Sequence, residues 1–171
     1  MKRDYDEPMF IDVVSCSGDC SAAQIETEIK ELCFEQPFAV LATQGEGQPY
    51  TALISFAASD DLTHLVFSTP TQTRKYSQIK DNRRVSLLVD TRSLQPDSIN
   101  LIRAVTITGK ARPLESPDEI ELWSKLLLDR HGYLEKFVQS KSSSLILVRA
   151  VRYFYVRRFQ EVYEWIPPET S

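Results

Sequence analysis

Short runs of β-branched and aromatic residues, separated by turn residues, are the feature that most restricts how this chain can fold. Six such runs lie at residues 38–43, 51–58, 64–68, 85–90, 104–112 and 144–158, and residues 161–166 form a seventh candidate. Their valine, isoleucine, tyrosine and phenylalanine content is typical of strands. Helical segments do not alternate regularly with these runs, which argues against a parallel α/β sheet. The sequence therefore predicts a mainly β domain with a few helices, built as an antiparallel barrel.

Two helices are predicted ahead of and between these strands. The first covers residues 21–35, where Ser21 and Gln24 have the spacing of a capping box and apolar residues recur at helical intervals. The second is shorter, beginning at Thr71 or Thr73 and ending near residue 81. Residues 51–58 and 64–68, which lie between the two helices, are the expected partners of a β-hairpin.

A third, longer helix is predicted from Ser116. Ser116 is the expected N-cap, Pro117 takes the first helical position, and Glu119 completes a capping box. Gly132 is the expected end of this helix. Trp123 shares a face with apolar residues of the same helix, which predicts a packing role for its ring.

Length and charge limit the class of protein. The chain has 171 residues, 42% of them hydrophobic, and a net charge of −4, so one domain with a real core is expected and nucleic-acid binding has no electrostatic support. Its apolar runs are too short to span a bilayer, and the charged start does not fit a signal sequence. We predict a cytoplasmic protein with a polar N-terminal arm over residues 1–20 and one domain over residues 21–171.

The segment with the most chemical information covers residues 65–79. It contains a strand, then the hydroxyl pair Ser68 and Thr69, then Arg74 and Lys75 at the start of a helix. Hydroxyls, a helix N-terminus and two adjacent cations can together bind a phosphate dianion. Adjacent basic residues on a helix are also typical of a solvated face, so the pattern alone leaves both interpretations open.

This segment resembles the pyridoxamine 5′-phosphate oxidase family. The resemblance rests on residues 66–69, Thr73-Arg74-Lys75, Gln78-Ile79, Asn82 and residues 84–88, and it extends over about residues 26–151. It implies a six-stranded antiparallel split β-barrel of the Greek-key type, the FMN-binding split barrel. It also implies a homodimer with FMN at the subunit interface.

The resemblance carries a set of cofactor-binding residues onto this chain. Backbone atoms of one strand would follow the flavin ring, while hydroxyls and cations would hold the phosphate. The predicted cofactor-binding residues are Thr51, Leu53, Ile54, Ser55, Phe56, Ser68, Thr69, Arg74 and Lys75.

Some family positions are different here. Thr51 and Phe56 stand where the true oxidases have arginine and lysine, and the flavin-contacting glutamine of the family falls near Arg103 or Ala104. The arginine-containing substrate segment has no clear match in residues 161–171. Cofactor binding therefore transfers better than pyridoxamine oxidation.

Cysteines and histidines offer weaker candidate sites. Cys16 and Cys20 have no histidine nearby that would complete a zinc site, and their spacing is not the redox Cys-x-x-Cys; Cys33 lies on an apolar helix face that predicts core packing. His64 and His131 are the only histidines and have no context of a haem ligand; His131 is expected to benefit from its charge near a helix end. No metal site and no catalytic side chain is predicted.

The sequence leaves open the role of Trp165 and the activity of the protein. Trp165 is expected either to cover the partner subunit's flavin or to lie in a terminal strand packed on its own barrel. For function, an FMN-dependent oxidoreductase acting on a small molecule is the first hypothesis, and a non-catalytic flavin, deazaflavin or haem binder is the second. A dimeric structural protein with an empty pocket is the third.

Overall fold

The computed structural model describes residues 21–94, 98–158 and 161–168. Cys16, Cys20 and the predicted arm lie outside the described residues. The strands are β1 (Phe38–Gly45), β2 (Gln48–Ala58), β3 (His64–Pro70), β4 (Arg84–Asp90), β5 (Ala104–Pro113), β6 (Ser143–Arg157) and β7 (Glu161–Trp165). The α-helices are α1 (Ala22–Glu35), α2 (Arg74–Asp81), α3 (Pro117–Arg130) and α4 (Glu135–Val138). Within the described ranges, no helix has the length and apolar character needed to cross a membrane.

Six strands close into an antiparallel barrel. Their order is β3-β2-β1-β4-β5-β6, and β3 also pairs with β6, which joins the two ends of the sheet. The last strand, β7, is added to the C-terminal half of β6. Both the predicted split-barrel fold and the seventh strand are thus confirmed.

Strands β2 and β3 separate soon after their hairpin. Their ladder contains only three pairs, from Phe56 opposite Phe67 to Ala58 opposite Leu65. Beyond it, β2 pairs with β1, while β3 continues along β6 to Pro70. The two strands therefore diverge, and an opening lies between residues 50–55 of β2 and residues 68–70 of β3. We call this opening the split.

One extra residue in β6 changes which side of the strand faces the core. Thr108 pairs with Arg152, but Gly109 pairs with Ala150, so Val151 is the additional residue of a β-bulge. Even-numbered side chains point inward before the bulge, and odd-numbered ones, including Tyr153, point inward after it. A Cβ atom at Gly109 would lie 2.7 Å from the Arg149 carbonyl oxygen, so the close approach of the strands requires glycine there.

The helices cover the barrel on two sides. Four apolar side chains of α1, including the predicted core residue Cys33, are buried in the main core, and burial raises the Cys33 pKa to about 12. Trp123 and Leu127 of α3 pack outside the barrel against β3 and β6, as predicted for Trp123. Trp165 packs against its own barrel, 5.2 Å from the Tyr153 ring, which selects the second of the two expectations.

The ends of α3 correct two sequence predictions. The Ser116 side chain makes no cap hydrogen bond, and the Glu119 side chain forms a salt bridge with Arg112 instead of bonding back to Ser116, so the predicted capping box is wrong. The helix ends at Arg130, before Gly132, which begins a short 3₁₀ turn.

Arg130 joins the end of α3 to the end of α1. Its guanidinium donates to the carbonyl oxygens of Cys33 at 2.7 Å and Phe34 at 3.0 Å, and also to that of Gln36. It also lies over the Phe56 ring at 5.2 Å. The carbonyl groups at the C-terminal end of α1 thus have a cationic partner, as helix ends require.

Candidate functional site

The end of β3 and the start of α2 bring together hydroxyls and cations. Thr73 is the N-cap of α2, where its hydroxyl accepts from the Tyr76 backbone N–H at 3.4 Å. The Thr69 and Thr73 hydroxyls are 3.0 Å apart. Arg74 and Lys75 are the first helical residues, and their N–H groups precede the first main-chain helical bond, at Ser77. Donors of several kinds therefore lie within one short segment.

Ser68 and Thr69 occupy opposite faces of β3, because successive side chains alternate along a strand. Thr69 is buried on the inner face, with its hydroxyl bonded to Thr73. The Ser68 Oγ atom is also buried, and among the described residues it has no hydrogen-bond partner. A buried hydroxyl without a partner is costly and requires an explanation, such as a bound ligand.

Neither cation of this segment is neutralised by a carboxylate within the described residues. Arg74 is exposed and lies 5.3 Å from the Tyr50 ring centroid of β2. Lys75 is half-buried, and this burial lowers its pKa. Two adjacent cations, one of them partly desolvated, form a positive site that an anion would stabilise.

The side chains of the five predicted residues on β2 alternate between the core and the outer face of the strand. Ile54 and Phe56 point into the main core, so only their backbone atoms are accessible to a ligand. Thr51, Leu53 and Ser55 point outward, and Leu53 is 69% exposed. The structure therefore brings the predicted strand and the predicted hydroxyls to the two sides of the split.

A hydrogen-bonded group at the far end of the split was not predicted from the sequence. The buried His131 ring places Nε2 2.9 Å from the Phe56 carbonyl oxygen and Nδ1 3.1 Å from the Tyr133 hydroxyl. The Tyr133 hydroxyl is in turn 3.4 Å from the Ser55 hydroxyl. The only signal in the sequence is that His131 and Tyr133 lie two residues apart, and their contacts with β2 depend on the tertiary fold.

The environment of His131 contradicts the prediction of a favourable charge at a helix end. Burial lowers the His131 pKa, and the nearby Arg130 charge acts in the same direction, although the Phe56 bond opposes it. The imidazole is therefore neutral at neutral pH. Both ring nitrogens are engaged by hydrogen bonds, so neither is available to an iron ion.

His64 is the first residue of β3 and lies below α3. Its Nδ1 atom is 2.9 Å from the Thr63 hydroxyl, and its ring is 5.4 Å from that of Trp123. Burial also lowers the His64 pKa. These contacts place His64 in a packed position, away from the split.

The outer face of β1, β2 and β4 is apolar and exposed next to the split. Phe38, Val40, Leu53 and Leu88 line a cavity of about 340 Å³, and Asp90 and Arg92 also line it. Those two residues form a salt bridge of 3.0 Å. Leu94, Ile99 and Leu101, which follow β4 in sequence, are also exposed. Large apolar surfaces of this kind are typical of binding interfaces.

The chain matches a known family over most of its length. The family model described as pyridoxamine 5′-phosphate oxidase matches residues 25–157. The chain belongs to this family. The resemblance inferred from residues 66–88 is thereby confirmed, and the match covers every strand except β7. No curated protein sequence matches the chain.

Solved structures similar to this member of the pyridoxamine 5′-phosphate oxidase family include proteins that are named for different ligands. A haem binding protein from Mycobacterium smegmatis has a TM-score of 0.75 and 19% identity, covering 87% of this chain and 59% of that chain. HutZ, the haem storage protein of Vibrio cholerae, has a TM-score of 0.62 and 20% identity, covering 73% and 89%. An FAD-binding protein from Mesorhizobium loti has a TM-score of 0.60 and 19% identity, covering 74% and 88%. At such identities the likeness establishes the fold, which serves both haem and flavin binders.

Proposed function

We propose that this protein binds FMN in the split between β2 and β3 and works as a flavin-dependent oxidoreductase. The single observation that carries the proposal is the cluster at the end of β3. Among the described residues, the Ser68 hydroxyl at the end of this strand has no hydrogen-bond partner, and the cations Arg74 and Lys75 at the start of the following helix are not neutralised by a carboxylate. A phosphate dianion at this helix N-terminus would neutralise both cations and accept from its free backbone N–H groups.

The rest of the split is consistent with a flavin. Among the described strands, residues 50–55 of β2 pair with β1 on one edge only, so backbone groups on the other edge are available to a ring with several hydrogen-bonding atoms. Leu53 offers an apolar contact beside them. When bound, FMN supplies the electron transfer itself, while the protein holds the cofactor and controls which molecules reach it.

Haem is the second candidate, because two of the similar structures are named for haem. The described histidines favour it less than flavin. Both nitrogens of His131 are hydrogen-bonded, and His64 lies beneath α3 rather than in the split. The adjacent cations suit a phosphate dianion, which has both negative charges on one group, better than haem, whose two charges are on separate carboxylates. An absorption spectrum of the purified protein distinguishes flavin bands from a Soret band.

We also propose that the protein is a homodimer. The apolar face formed by Phe38, Leu53 and Leu88, with exposed leucines nearby, is suited to burial between two subunits. Trp165 does not contribute to this surface, because it is buried on its own barrel. Sedimentation at micromolar concentration measures the assembly, and a monomer there would overturn this proposal.

The binding experiment compares two flavins with and without a phosphate. Arg74→Ala removes charge-assisted hydrogen bonds worth about 1.5–3 kcal/mol, so FMN affinity should fall about 10- to 150-fold. Lys75→Ala should also weaken FMN. Riboflavin, which lacks the phosphate, should bind the wild type poorly and lose little more in either variant.

Lys80→Ala is the matched control, because Lys80 lies in the last turn of the same helix. It should leave FMN affinity unchanged. Equal FMN affinity for the wild type and the Arg74→Ala and Lys75→Ala variants would refute the phosphate site. Anaerobic bleaching by NADH or NADPH, followed by reoxidation with an organic acceptor, then tests turnover against simple binding.

A further inference from the structure

The hydrogen bonds around His131 have only one consistent direction. The Phe56 carbonyl can only accept, so His131 Nε2 carries the proton and donates to it. In the neutral imidazole, Nδ1 must then accept, and the Tyr133 hydroxyl donates its only proton there. The Tyr133 oxygen is left with acceptor capacity toward Ser55 and toward solvent.

Tyr133 combines a fixed hydroxyl with an open position. Its side chain is 70% exposed, although the hydroxyl contacts both His131 and Ser55. An exposed tyrosine normally directs its hydroxyl into water. Here a buried histidine fixes that oxygen over the outer face of β2, so a hydrogen-bond acceptor is preorganised at the end of the split.

Strand β2 sets the distance between this acceptor and the cation cluster. Arg74 contacts Tyr50, and Tyr133 contacts Ser55, five residues further along the strand. At the rise of an extended strand, five residues span about 17 Å. A phosphorylated five-carbon chain joined to a three-ring system, as in FMN, covers a length of this order.

We propose that Tyr133, positioned by His131, accepts a hydrogen bond from the N3–H group of the bound flavin. This inference rests on the proposed FMN site. The oxidised isoalloxazine ring has a single N–H donor, at N3, at the end of the ring system away from the benzenoid ring. In the part of the chain that the structure describes, the Tyr133 oxygen is fixed as an acceptor at the end of the split away from the phosphate cluster, so donor and acceptor match in chemistry. Haem, whose pyrrole nitrogens are bound to iron, offers no equivalent donor.

The test is a cycle of two proteins and two ligands, measured by quenching of flavin fluorescence. Wild type and Tyr133→Phe are each titrated with FMN and with N3-methyl-FMN, which has no N3–H. Loss of one neutral hydrogen bond should reduce affinity about threefold to tenfold. N3-methylation should therefore weaken binding to the wild type more than to Tyr133→Phe by that factor. Tyr50→Phe, at the phosphate end, should discriminate between the flavins as the wild type does.

The positioning role of His131 is tested in the same assay. His131→Gln should lose discrimination between the two flavins, as Tyr133→Phe does. A purely structural role would weaken both flavins equally and leave their affinity ratio at the wild-type value, which would refute the positioning role.

Failure of this inference is distinguishable from failure of the FMN site. If N3-methylation has the same effect on wild type and Tyr133→Phe, the role of Tyr133 is wrong, while FMN binding stands. If the wild type binds neither flavin, the proposed function itself is wrong, and the role of Tyr133 falls with it.

Discussion

Replacing Arg130 by methionine should destabilise the protein more than any surface charge change. The guanidinium makes three hydrogen bonds to carbonyl groups at the end of α1, two of them partly buried and one exposed. We count about 1.5 kcal/mol for each partly buried, charge-assisted bond and nothing for the exposed one. The expected loss is therefore about 3 kcal/mol of unfolding free energy, a large share of the typical 5–15 kcal/mol.

Urea unfolding followed by circular dichroism measures this loss, and the midpoint should fall with an unchanged slope. At about 2–4 °C per kcal/mol, the melting temperature should fall by about 6–12 °C. Arg112→Met is the matched control, because Arg112 pairs with Glu119 near the other end of α3, in a bridge whose side chains are 41% and 37% exposed and which is therefore expected to contribute little to stability. Equal losses in the two variants would refute the role assigned to the Arg130 bonds.

Two further predictions concern buried polar groups. Ser68→Ala removes a hydroxyl that has no partner among the described residues, so the protein without ligand should be equally stable or up to about 1 kcal/mol more stable, while its FMN affinity should fall. Urea unfolding measures the stability, and flavin titration measures the affinity. A loss of stability together with the loss of affinity would contradict a ligand role for this hydroxyl. Burial lowers the pKa values of His131 and His64, so below pH 6.5 the unfolded chain binds more protons than the folded one, and stability should fall as pH is lowered through this range. His131→Gln should reduce that pH dependence in unfolding experiments from pH 7 to pH 5, and an unchanged slope would show that His131 does not titrate as inferred.

The sequence predicted the strands well, because alternating apolar residues and turn residues are local signals. The hairpin of β2 and β3, for example, follows from two apolar runs around residues 59–61. Helix ends were predicted less well, since Glu119 had two possible partners and only the tertiary fold brings Arg112 close enough to bind it. Local patterns cannot reveal a competitor that is distant in sequence.

The candidate site was predicted where its residues are contiguous and missed where they are not. Ser68 to Lys75 lie within one segment, so a phosphate cluster was visible as a motif, and its role stays a prediction. The group of Ser55, His131 and Tyr133 joins positions separated by 78 residues between Ser55 and Tyr133. The helix-end argument gave the wrong charge for His131, because burial outweighs the effect of the helix terminus.

The bulge at Val151 means that β6 cannot lose or gain a residue without changing which of its side chains face the core. The first half of β6 pairs with β3 and its second half pairs with β7. Between the two halves, the extra residue changes which side chains of β6 point inward. Removing one residue there would turn Tyr153 and Tyr155 out of the core without touching the ladder with β3. We therefore expect the middle of β6 to tolerate no insertion or deletion, whereas the connecting segments should tolerate them.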